Sequence, residues 1–151
     1  MLRLDKLIFD AISADADLMQ AVGSNVKSTC IEVSPDEKDK TSLPYLLIID
    51  EGKAPTDSTK DDGWMPSQWR VTAGVEVAAK SPNAVDDLTM KVMKAISNHI
   101  QTLSANGEDI PCLNEGYPKT QGIAWDWTKP CYFDTVLYQC DIEYDDDEQE
   151  E

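Results

Sequence analysis

The sequence predicts an α+β fold, a single domain in which a mainly antiparallel sheet is packed by two helices, and three observations predict it. Apolar residues recur at helical spacing over Leu4 to Ile12 and again over Val85 to Leu103, each long enough for an amphipathic helix. Other segments alternate apolar and polar residues, or run apolar for the length of one strand. The order α, β, β, long loop, β, α, β, β groups the strands instead of alternating them singly with helices, and such a chain covers a sheet mainly on one side. At 151 residues it is read as one domain over residues 1–144, with an acidic tail over 145–151.

The first helix turns Leu4, Leu7, Ile8, Ala11 and Ile12 to the core. Asp15 or Asp17 then caps a short helical turn, "DLMQAV", which Gly23 ends. "VKSTCIEV", Val26 to Val33, is rich in β-branched residues and predicts a strand, followed by the polar loop "DEKDKTS". "PYLLIID", Pro44 to Asp50, is continuously apolar at Leu46 to Ile49, which predicts a strand buried on both faces in the middle of a sheet with helices over it. The stretch Glu51 to Ser67, "EGKAPTDSTKDDGWMPS", reads as a long loop, and loops of that length are commonly functional or disordered. Trp64 and Met65 are its large apolar residues: they either tuck back onto the fold or dock on another chain.

Val71, Ala73, Val75, Val77 and Ala79 alternate with Thr72, Gly74, Glu76, Ala78 and Lys80, which predicts a strand with one covered face. Ser81 stands as N-cap and Pro82 at the first helical position, where its missing N–H costs nothing. The helix that follows runs to about Leu103, and "SANGED" ends it. "TQGIAWDWTKPCYF" places Ile123, Trp125 and Trp127 on one face of a strand, with Thr128-Lys129-Pro130 as a turn. Val136, Tyr138, Cys140, Ile142 and Tyr144 alternate through a last strand, and the tail beyond is expected to be disordered.

Charge excludes some functions. Thirteen basic and twenty-nine acidic residues give −16, and with the tail "DDDEQEE" removed, thirteen against twenty-three still leave −10. Binding a nucleic-acid backbone or an anionic lipid surface needs Lys and Arg in excess, so both are disfavoured. An acidic surface suits a basic partner, mimicry of nucleic acid, or a path along which nucleic acid passes without sticking. The N-terminal stretch carries Asp5 and Asp10 and lacks a signal-peptide core, and no run reaches the ~20 apolar residues of a bilayer span, so a cytosolic chain is expected. Cys30, Cys112, Cys131 and Cys140 form no Cys-x-x-Cys pair; free thiols are expected, with a disulfide as the alternative.

Nothing in the sequence has the spacing of a reactive site. No glycine-rich phosphate loop, nucleophile elbow, zinc signature or calcium loop is present, and the acids at Asp15 and Asp17 lack the glycine turn and terminal Glu that a calcium loop needs. His99, the single histidine, lies on the long helix with no Cys or Ser at a recognisable distance, so it reads as a helix-surface residue and not a base. No catalysis, metal or cofactor is expected.

The layout "LDKLIFDAISADADLMQAVGSNV", then a strand and "SLPYLLIIDEG", then "RVTAGVEVAAKSPNAVDDLTMKVMKAI" and an alternating last strand, resembles the tail-terminator, tail-completion and head–tail-joining family of long-tailed phages, from Leu4 to Tyr144. The resemblance implies an α+β fold without catalysis and a homo-oligomeric ring, commonly a hexamer. It also implies a tail-tube protein on one side, a head connector on the other, and DNA only in transit through an acidic lumen. The chain would then occupy the host cytoplasm during assembly and the virion tail afterwards. On that reading the subunit and partner contacts fall on the long loop and its exit, at Asp61, Asp62, Trp64, Met65 and Trp69. The alternative function is an acidic inhibitor that imitates nucleic acid to occupy a basic protein.

Overall fold

The computed structural model describes residues 3–31, 42–56, 66–110 and 112–143. In chain order the elements are helices α1 (Leu4–Ser13) and α2 (Ala16–Ala21), strands β1 (Val26–Ser28), β2 (Tyr45–Pro55) and β3 (Gln68–Ala79), helix α3 (Pro82–Ala105), and strands β4 (Lys119–Thr120), β5 (Ala124–Asp126) and β6 (Cys131–Glu143). The strands form one sheet in the order β1-β2-β3-β6-β4, with β5 also paired to β6. Only β1 and β2 run parallel; every other pair is antiparallel. The α+β fold expected from the sequence is therefore the one observed.

All three helices pack on the same face. Ile8 and Ile12 of α1, Leu18 of α2, and Val85, Val92 and Ile96 of α3 are fully buried against Leu46, Ile48, Val75, Val77, Val136 and Tyr138 of the sheet. The strand-to-helix corner forms as its residues dictate. Ser81 is extended, its Oγ accepts the Ala84 N–H at 3.2 Å, and Pro82 opens the helix. Asp15, of the two candidates, is the cap of α2, accepting the Leu18 N–H at 2.9 Å. The start of α1 is pinned by Asp5, whose buried carboxylate accepts from Arg3 Nη2 at 2.7 Å, Arg3 Nε at 3.0 Å, Thr29 Oγ1 at 2.7 Å and the Lys6 N–H at 2.9 Å. Burial alone would raise its pKa, and these bonds outweigh burial and hold it below the usual carboxylate range.

Four expectations are corrected. The strand foreseen over Val26 to Val33 ends at Ser28, because the chain turns at Thr29 and Cys30 and the Ser28 hydroxyl accepts the Cys30 N–H at 3.2 Å. β2 is covered by helices on one face only: Leu46 and Ile48 are buried, whereas Leu47 and Ile49 point to the opposite side and are half-buried. The first five residues of the long loop are strand, since Glu51 to Pro55 extend β2 along β3. Ile123, Trp125 and Trp127 do not lie together on one face of a strand; only Ala124–Asp126 is extended, and the three side chains are 42%, 37% and 87% exposed. Tyr144 and the acidic tail lie outside the described residues.

Candidate interaction surfaces

Three parts of the surface depart from an ordinary polar exterior, and each follows from where the sheet outruns its helices. The first is an arm. β1 matches β2 only as far as Ser28 opposite Ile48, so among the described residues no strand pairs with the outer edge of β2 from Glu51 to Pro55. β2 continues there against β3 alone, after a bulge at which Gly52 takes φ +99° and donates its N–H to Asp50 Oδ1 at 2.9 Å. An unpaired edge of this kind offers its backbone groups to another strand. Arg70 and Asp141 lie opposite each other across the arm, with Nε to Oδ1 at 2.9 Å and Nη2 to Oδ2 at 3.3 Å. The hydrogen bond from Arg70 holds the Asp141 carboxyl below its ordinary range, supported by Asn114 at 3.3 Å.

Of the residues expected to meet partners, Trp69 sits in the arm between Pro55 and Ile142. It is half-buried, and its indole N–H donates to the Pro66 carbonyl at 2.8 Å. Asp61, Asp62, Trp64 and Met65 lie outside the described residues.

The second surface is the helix-free face of the sheet. Leu47, Ile49, Phe133 and Leu137 are half-buried there around Gly74. A side chain at position 74 would come within 2.9 Å of Glu51 Oε1 and 3.3 Å of Thr135 Cγ2, so glycine is what lets Glu51 fold over the face. Glu76 on this face has its pKa raised by burial, against the opposing pull of Lys129. Neighbouring Tyr45 is pushed up to about 12, by burial first and then by the Glu76 charge.

The third is the hairpin joining β5 to β6. Asp126 Oδ1 accepts the Thr128 N–H at 2.9 Å, the Thr128 hydroxyl at 2.7 Å and the Lys129 N–H at 3.3 Å, which fixes the turn. Trp125 meets Tyr132 edge-on at 4.8 Å between ring centres, and Trp127 stands beyond it at 5.9 Å. A turn held this firmly presents Trp127 to solvent on a rigid base.

Among the described residues two concavities stand out. One, of about 400 Å³, lies between the α1–α2 junction and α3 and is lined by Asp15, Asp17, Asn98, His99 and Thr102. It brings His99 beside carboxylates and beside Thr102, whose hydroxyl donates to the Asn98 carbonyl at 3.0 Å. The other, of about 360 Å³, is apolar and runs between the second half of α3 and the segment 110–118, over Tyr138. The sequence carries no sign of it, since Met93 and Ile100 fall within the apolar stripe from Val85 to Leu103 and only the fold leaves them half-buried. Among the described residues no three His, Cys, Asp or Glu side chains converge as a metal site. All four cysteines are free, with Cys131 and Cys140 buried.

No protein-family model matches the chain, and no curated protein sequence matches it. Two solved structures overlap it loosely. A chain in the virion of a native gene transfer agent particle is 13% identical, with a TM-score of 0.49, over 93% of this chain and 95% of that one. The gp17 protein of bacteriophage SPP1 is 18% identical, with a TM-score of 0.47, over 93% of this chain and 88% of that one. At scores below one half neither overlap carries the functional reading, which rests on the surfaces.

Proposed function

We infer that the chain is a structural virion component: a tail terminator or tail-completion protein whose copies form a ring, cap the tail tube and join it to the head connector. The observation that carries this reading is the arm, in which Glu51 to Pro55 of β2 are exposed and, among the described residues, no strand pairs with their outer edge. An edge that pairs with a different strand of the next copy makes a head-to-tail contact, and head-to-tail contacts close into rings when their rotation closes. The sequence resemblance points the same way. Asp61, Asp62, Trp64 and Met65 fall in sequence between the paired ends of β2 and β3, and with Trp69 they are our candidates for contact with a neighbour or the tube protein.

The excess of acid fits a conduit. A wall of like charge lets DNA slide by without adhering, and the body keeps −10 without its tail. Exposed acids are spread over the helical layer at Asp10 and Asp17, over α3 at Asp86 and Asp87, and over the arm at Asp141 and Glu143. That spread favours a general negative field over imitation of a phosphate row.

The test is light scattering at high protein concentration, with and without the tail-tube protein, followed by negative-stain imaging of whatever assembles. Rings seated on tube ends are expected. A chain that stays monomeric under both conditions and forms no complex overturns the reading.

A further inference from the structure

We propose that the apolar groove beside α3 is the seat for Trp127 of a second copy of this chain, a knob-in-hole contact that links one subunit to the next. The proposal deepens the ring reading and rests on it.

The groove has an unmet need. Met93, Ile96, Ile100 and Leu113 make its walls, and Tyr138 lines it from β6. Tyr138 is buried, and its hydroxyl has no hydrogen-bond partner, which leaves an unsatisfied polar atom in apolar surroundings. A ligand suited to such a place is flat and apolar with a single donor at its rim. Indole has that description, with one N–H that donates and never accepts. A groove of about 360 Å³ is large enough for one ring system, and Met93 is a flexible wall that can move aside to bring the hydroxyl within reach.

The knob is equally unmet. Trp127 is 87% exposed on a turn that Asp126 holds rigid, so little freedom is lost when it docks. It cannot reach the groove of its own chain. The hairpin joins β6 at Cys131, whereas Tyr138 lies seven residues along the strand, roughly 23 Å away at ~3.3 Å per residue. The occupant must therefore come from another molecule.

Charge agrees with the pairing. The segment 104–118 that closes the groove carries Glu108, Asp109 and Glu115, and Lys119 beyond it stands over the Tyr117 ring at 4.9 Å, while Lys129 stands two positions from Trp127. In the hairpin Asp126 is taken up by the turn, and Glu76 of β3 also feels the Lys129 charge. A basic turn thus approaches an acidic rim, which favours this orientation over others. Because the knob precedes the first residue of β6 and the hole lies over the strand's middle, each copy offers both, and the contact repeats in one direction.

Sedimentation velocity on the full chain, alone and with the tail-tube protein, tests this with three variants. Trp127→Ala removes the knob at an exposed site and is expected to weaken association about thirtyfold, or about 2 kcal/mol, with the unfolding midpoint unchanged. Ser97→Trp, at an exposed α3 position on the groove, is expected to block the hole to the same extent. A one-to-one mixture of the two variants is expected to form dimers at concentrations where neither variant associates alone, since one intact knob and one intact hole remain. Tyr138→Phe is expected to weaken association several-fold while leaving the monomer as stable or more so, an outcome a purely structural hydroxyl would not give. Assembly of Trp127→Ala with the wild-type constant overturns the proposal and leaves the ring reading standing. A wild-type chain that never assembles overturns both.

Discussion

The two faces of this sheet are made by the same residues taken alternately, and they obey different rules. On the helix side Leu46, Ile48, Val75, Val77 and Val136 are fully enclosed. One position along, Leu47, Ile49, Leu137 and Phe133 are only half-buried, with Glu51, Glu76 and Thr135 lying among them. A covered face gains from every methylene it hides, whereas a bare one gains little until something else is laid over it. The contrast teaches that apolar content alone does not identify a core; the layer above it does.

Substitution of neighbours should expose the contrast most plainly. Leu46→Ala is expected to lower stability by about 2–5 kcal/mol in urea unfolding, and Leu47→Ala by under about 1 kcal/mol in the isolated chain. Equal losses would mean that the second face is covered after all.

A smaller effect separates the faces by pH. Asp5, on the helix side, has its folded pKa depressed below the ordinary 3.8, so its contribution is present above that value and disappears as pH falls through the folded one. Asp5→Asn should therefore cost about 1–3 kcal/mol at neutral pH and almost nothing in strong acid, measured by thermal unfolding across pH. Curves that stay parallel down to acid pH would remove the carboxylate from the account.

Glu76, on the bare face, should show the opposite sign and the least effect. Its folded pKa is raised above 4.5, so ionisation works against the fold as pH rises through that value and beyond it. Glu76→Gln is expected to stabilise by less than about 1 kcal/mol at neutral pH, with the gain gone below pH 4.5. A loss at neutral pH would show that the Glu76 charge is engaged and not merely tolerated.

What the sequence made legible was whatever is encoded locally. Alternation marked the buried face of β3, and Ser81-Pro82 marked the corner, because a cap and a fixed φ act within three residues. The extension of β2 through Glu51 to Pro55 was hidden, since Gly52 and Pro55 are loop residues by composition and become strand only against Trp69, Arg70 and Thr72. The tryptophans misled for the converse reason. Trp125 and Trp127 alternate like strand residues, yet Trp125 stays against Tyr132 while the Asp126 turn leaves Trp127 in water, and no sequence period reports that difference. Of the interface expected around the long loop, only Trp69 falls where its surroundings can be described.

The bulge between Asp50 and Gly52 carries one further consequence. Before it, even-numbered residues of β2 face the helices, as Leu46 and Ile48 do; after it the parity reverses, and Lys53 and Pro55 share a side with Val71 and Trp69. The strand is thus two half-waves joined out of step. Removing residue 51 alone would take out the bulge and leave Lys53 and Pro55 on the sides they now hold, whereas removing Lys53 alone would turn the residues beyond it over. The strand can lose its extra residue at the shoulder, but no single residue farther out.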